Sequence, residues 1–271
     1  MKVHLIRLNS VVPHGVGSGP ESAAIDFIYT HLLQKYEQFV YSWTNINQIG
    51  EDLKEFITRD AGNKIHVNIR YPAHHDFENK TEQEKNEIRL DFVHTALLKI
   101  AEKYKGLEIR KLELIRAEIL QRNFHFEIVY KTFINKKTPI LTCKIIIIPK
   151  MKEFEYYAII SNGNVDICKH RIFKGIPGYF YIDRYFCYGK WKDNEVIISG
   201  KEKIVEIHIS IDDCKAAIIN LTPYDNPPYF TLMRADITVE EREKAYKDWH
   251  LSLDPSHLET LKRDRESWNK I

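Results

Sequence analysis

Near Asn123 the periodicity of the chain changes, and that change limits the folds open to it. Before it, apolar residues recur mostly at three- and four-residue spacing. After it come short runs, FHFEIVYKTF, ILTCKIIIIP, EFEYYAIIS, YFYIDRYFCYGKW, EVIISG and IVEIHISI, parted by Asn, Gly, Pro and Lys clusters. Segregated helical and strand patterns point to an α+β protein. The pattern predicts a helix-rich N-terminal half with one or two strands over residues 1–122. It predicts a largely antiparallel sheet from 123 to 271 ending in a helical C-terminal tail, the two parts packed as one body.

In the first half, VHLIRL and residues 64–70 read as strands, the second with Ile65, Val67 and Ile69 on one side. Helices are predicted over about residues 20–43, opened by Ser18 with Glu21, over about 48–59, and from Thr81 to about Lys105. Thr81 with Glu84 is a capping-box pair, and Leu90, Val93, Leu97, Ile100 and Tyr104 form the apolar stripe behind it. Residues 107–122 fit both periods in part, with Leu112, Ile115, Ile119 and Leu120 favouring a helix. In the second half, IIIIP lacks a polar face, as a strand covered on both sides would, and SNGN at 161–164 signals a hairpin. Thr238 with Glu241 opens a further helix, and Asp254 with Pro255 a last one through about Trp268.

With 271 residues the chain can bury a full core, and with 40 basic against 38 acidic residues it carries no field that would draw it to nucleic acid or an anionic membrane. Neither partner is expected. Cys143, Cys168, Cys187 and Cys214 form no C-x-x-C pair, so a zinc ribbon is not indicated and buried free thiols in a reducing compartment are expected. MKVHLIRLNSVV lacks the apolar run and cleavage site of a signal peptide, and no apolar stretch reaches the roughly 20 residues that cross a bilayer. The expected location is cytoplasmic.

Three stretches invite a chemical reading. HGVGSGPES offers Gly15, Gly17, Ser18 and Gly19 between a strand and a helix, the context in which a helix N-terminus holds phosphate. Its glycine spacing fits neither the dinucleotide fingerprint nor a P-loop, and a capped turn that needs glycine flexibility is the plainer account. RYPAHHD supplies His74, His75 and Asp76, and His94 follows on the next helix; together they are the candidate ligands of a metal-assisted hydrolase. Adjacent residues point in different directions, and His94 has no histidine four positions away, so the stretch is first a connection. A histidine paired with Asp91 at the edge of the apolar stripe is the plainer account of His94. No nucleophile elbow occurs, and none of the cysteines has an activating sequence context. No cofactor is indicated.

The third stretch is GYFYIDRYFCYGKW. As a strand it places Tyr179, Tyr181, Asp183 and Tyr185 on one face, a set suited to contact with a partner protein, although aromatic packing under another layer is also consistent.

In order, IRYPAHHDFENKTEQEKNEIRLDFVHTALLKIAEKY and KLELIRAEILQRNFHFEIVYK over residues 65–150 resemble bacterial proteins that accompany polymorphic toxins as immunity proteins. The resemblance is one of layout and implies no active residues. It implies a protein-binding module, an immunity-type inhibitor that occludes a cognate toxin. An enzyme, whether a metal-assisted hydrolase or a phosphate-binding one, is the alternative.

Overall fold

A computed structural model describes residues 5–10, 16, 20–38, 41–72, 76–137, 140–175, 182–201, 205–220 and 237–252. The chain divides into two compact units. The first comprises Met1–Tyr130, Ile146–Glu155 and Ile176–Tyr179, the second Lys131–Ile145, Tyr156–Gly175 and Phe180–Ile271.

In the first unit, β1 (Leu5–Ser10), α1 (Pro20–Lys35), β2 (Trp43–Ile49), β3 (Phe56–Arg59) and β4 (Lys64–Arg70) precede two long helices, α2 (Glu82–Lys103) and α3 (Ile109–Gln121). The strands form a sheet in the order β1-β2-β4-β3, with β1, β2 and β4 parallel and β3 antiparallel to β4. Thr44, Ile46 and Gln48 on β2 and Ile65, Val67 and Ile69 on β4 lie on one buried face of this sheet. α1 packs against β1 and against both later helices, while α2 packs on β4. Each of the wholly buried aliphatic side chains contributes roughly 1.5–3 kcal/mol through removal from water.

This arrangement corrects the expected fold class. The molecule is α+β, but the helix-rich N-terminal half is not found: four strands stand where one or two were expected, and strands outweigh helices along the chain. The helix expected over residues 48–59 is the end of β2, a turn and β3. Period two is disguised there because Thr44 and Gln48 are polar residues at inward positions. Gln48 is fully buried, accepting from the Val16 N–H at 2.8 Å and donating to the Tyr71 carbonyl at 3.0 Å.

The α2 capping box is present, with the Glu84 N–H donating to Thr81 Oγ1 at 3.3 Å and the Thr81 N–H to Glu84 Oε2 at 2.8 Å. Gly106, at a positive φ of 122°, follows the end of the helix, where a side chain would be strained. On α3, Leu112, Ile115 and Ile119 are the buried residues.

β5 (Ile128–Asn135), β6 (Leu141–Pro149), β7 (Phe154–Asn162) and β8 (Val165–Gly175) form a second sheet in sequential order, with Gly163 at φ 60° in the turn between β7 and β8. A short helix, α4 (Ile182–Tyr185), precedes β9 (Tyr188–Lys192), β10 (Glu195–Ser199), β11 (Val205–Ser210) and β12 (Ala216–Asn220). These last strands make an antiparallel sheet, β12-β11-β10-β9. α5 (Val239–Ser252) is the last described element. The helix expected to follow it lies outside the described residues.

Inside the second unit, Tyr156, Phe173, Tyr185 and Phe186 form one aromatic cluster with ring centroids 5.0–6.1 Å apart. Cys168 on β8 is bonded to Cys214 in the β11–β12 turn, their Cα atoms 5.5 Å apart, so two of the four expected free thiols are joined. Cys143 is buried, which pushes its thiol up to about 12, and Cys187 is half-buried. No helix among the described residues is long and apolar enough to cross a membrane.

Candidate functional site

The residues singled out in the sequence fare differently. Gly15, Gly17, Ser18, Gly19, His74 and His75 lie outside the described residues, as do Tyr179 and Tyr181. Asp76 precedes a short 3-10 turn at Phe77–Asn79 and pairs with Lys80 at 2.8 Å. Of the strand expected across residues 178–191, the described part from Ile182 forms α4 and β9 instead. Ile182, Tyr185 and Phe186, at helical spacing, are buried together, and Asp183 is on the same short helix. Tyr185 is fully buried and belongs to the core, and Asp183 and Tyr185 lie on a helix and not on one strand face.

His94 lies on α2, buried between α1 and α3. Its Nε2 is 3.2 Å from Glu113 Oε1 and its Nδ1 is 2.9 Å from the Tyr29 hydroxyl. A carboxylate only accepts, so Nε2 carries a proton and, in the neutral ring, Nδ1 accepts from Tyr29. Burial first, then the charge of Glu113, raises the Tyr29 phenol far above its ordinary value, against the opposing charge of Arg116. His94 therefore sits in a relay of three side chains rather than beside Asp91, the partner expected from helical spacing.

Asp91 turns instead to Tyr71 and Arg116. The Tyr71 hydroxyl donates to Asp91 Oδ2 at 3.0 Å, and Arg116 approaches Asp91 Oδ1 at 3.6 Å. Burial, followed by the Asp91 charge and hydrogen bond, pushes the Tyr71 phenol well up, again against Arg116. These groups line a cleft of about 370 Å³ whose rim carries Lys80, Glu84 and Glu87. The Arg116 charge acts on both tyrosines and so connects this cleft with the His94 relay. The sequence signal for it was faint: Asp91 and His94 share a face of α2, while Tyr71 and Arg116 come from elements whose packing no local pattern specifies.

The chemistry of this network is that of a fixed polar anchor. Both phenols stay protonated and donate, His94 is held at both nitrogens, and Asp91 is held by one hydrogen bond and one ion pair. Among the described residues, no three His, Cys, Asp or Glu side chains converge as a metal site would require.

A second surface lies in the other unit. Among the described residues, β8 is the last strand of its sheet and exposes Val165 and Ile167, and β12 is the last strand of its own and exposes Ile218 and Ile219. Cys168 and Cys214 tie β8 to the turn that leads into β12. Compared with protein-family models, curated proteins and solved structures, the chain matches none.

Proposed function

We propose that the protein is a binding module that acts by holding another protein, in its narrower form an immunity-type inhibitor that occludes a cognate toxin. The observation that carries the binding reading is the pair of edge strands β8 and β12, each presenting adjacent or alternate aliphatic side chains to solvent. Edge strands offer unpaired backbone groups to an added strand, and exposed Val and Ile beside them supply apolar contact. The disulfide holds β8 near the β11–β12 turn, which lowers the ordering cost of presenting that region to a partner. The toxin as partner rests on the layout of residues 65–150 alone.

Co-expression with the toxin encoded beside this gene tests the reading. Growth rescue and a stoichiometric complex are expected, both lost in Val165→Lys with Ile167→Lys. A toxin neither bound nor neutralised by the wild-type chain would remove the inhibitor reading. Binding that survives both substitutions would move the contact surface elsewhere.

A further inference from the structure

The first unit holds a second, more apolar pocket that the binding reading does not use. It measures about 470 Å³, within the usual range for small-molecule sites. The segment after α3 forms one wall with Phe124 and Phe126, and the end of β6 with the β6–β7 connection forms the other, with Ile148, Pro149 and Met151. Asn86 of α2 also lines it, with only 7% of its surface exposed.

The backbone of the first wall is held in an uncommon conformation. Asn123 and Phe124 both have positive φ, 47° and 61°, and for a bulky aromatic residue this region is strained. The turn is kept by donation from the Asn123 N–H to the Leu120 carbonyl at 3.0 Å and from the Phe124 N–H to the Ile119 carbonyl at 3.2 Å. It brings two aromatic rings to the pocket, and the Arg122 guanidinium lies 5.0 Å from the Phe126 ring centroid on the same segment.

The lining carries one ammonium, Lys150, and one carboxylate, Glu127, and its buried polar group is the Asn86 amide. Arg89, itself buried, donates to Asn86 Oδ1 at 3.2 Å, which leaves the Asn86 amide N–H groups to serve as donors. Lys150 stands at the rim and pairs with Glu155 at 2.9 Å. His125 donates through Nδ1 to the Asn123 carbonyl at 2.7 Å, and Glu127 is an exposed rim residue. Apolar walls, a buried amide oriented by a guanidinium and a rim ammonium are complementary to a molecule with an apolar body and an anionic, acceptor-only end. We propose that this pocket binds a small apolar monocarboxylate, its ring or alkyl chain between Phe124, Phe126 and Ile148 and its carboxylate toward Asn86 and Lys150.

The test is calorimetric titration of the full chain with phenylacetate and octanoate, each compared with its uncharged amide. Saturable binding is expected for at least one acid, with the matching amide weaker by about tenfold or more. Lys150→Gln, which also removes the ammonium partner of Glu155, is expected to weaken the acid by about tenfold and leave the amide unchanged in a chain that still melts cooperatively. Ile148→Trp, which fills the pocket, is expected to abolish binding while far-UV circular dichroism and cooperative melting are retained. Should Ile148→Trp unfold the chain, Met151→Trp fills the same space from another position on that wall. No saturable binding of either acid up to about 10 mM, equal binding of acid and amide, or undiminished binding in a folded pocket-filled variant would each overturn the proposal.

Discussion

Tyr29 gives the buried Nδ1 of His94 its hydrogen bond, and nothing about that position admits water: Tyr29 is wholly buried and His94 nearly so. Tyr29→Phe would keep the ring packing and remove only the donor, so the cost is that of leaving a buried acceptor unpaired. The expected loss is about 1–3 kcal/mol, read as a lower urea midpoint at unchanged slope. Glu113→Gln should cost less, since the Glu113 side chain is half in solvent. Glu118 provides the pH-dependent counterpart. Burial works to raise its carboxyl, but hydrogen bonds from Lys35 and Tyr36, with the charges of Lys35 and Arg122, outweigh burial and hold it below the ordinary 4.5. Because the folded value is depressed, the stabilisation is present above about pH 4.5 and is lost as the pH falls through the lower folded value. Melting temperature followed from pH 7 to pH 3 should fall more steeply in the wild type than in Glu118→Gln, which should itself lose about 1 kcal/mol at pH 7.

At the scale of elements, the most exacting position is Gly189 on β9, where a Cβ would collide with the Phe133 ring of β5. Gly189→Ala must push that ring aside, at an expected cost of about 1–3 kcal/mol in thermal denaturation, and Phe133→Ala in the same chain should recover part of it. Such a contact is invisible in sequence, where Gly189 reads as a break in an aromatic run. What was legible is what local chemistry decides: the Thr81 cap and the α2 stripe, the alternation of Ile65, Val67 and Ile69, and the turn at Gly163. Two elements were misread for the same physical reason, tertiary burial overriding a surface pattern. β2 turns Thr44 and Gln48 inward, so its buried face does not look apolar. Residues 182–186 alternate like a strand, yet Ile182, Tyr185 and Phe186 also recur at three- and four-residue spacing, and their burial beside Tyr156 and Phe173 goes with the helical choice. Of the candidate site, His94 was visible, but its partners Tyr29 and Glu113, 65 and 19 residues away, were not.

For the molecule as a whole, the bridge between Cys168 and Cys214 closes 46 residues of chain and connects the second sheet to the third. Restricting the unfolded chain by a loop of that length is worth about 4 kcal/mol on the chain-entropy account. Cys168→Ala with Cys214→Ala, or reduction of the wild type, is therefore expected to lower the melting temperature markedly, while the double variant should no longer respond to reductant. The bridge also withdraws the support that free thiols lent to a reducing compartment.

The path of the chain carries a different consequence. It leaves the first unit after Tyr130, returns to it at Ile146 and leaves again after Glu155. A scission at any one of these crossings gives two pieces, one of which retains a portion that the other's unit requires. A break after Tyr130, for instance, strands residues 146–155, with the fully buried Phe154 that packs on Phe27, on the far fragment. The near piece then lacks part of its own unit while the far piece carries it beside a complete second unit, and the two should be able to reconstitute the first unit when mixed, as the halves of a split reporter do.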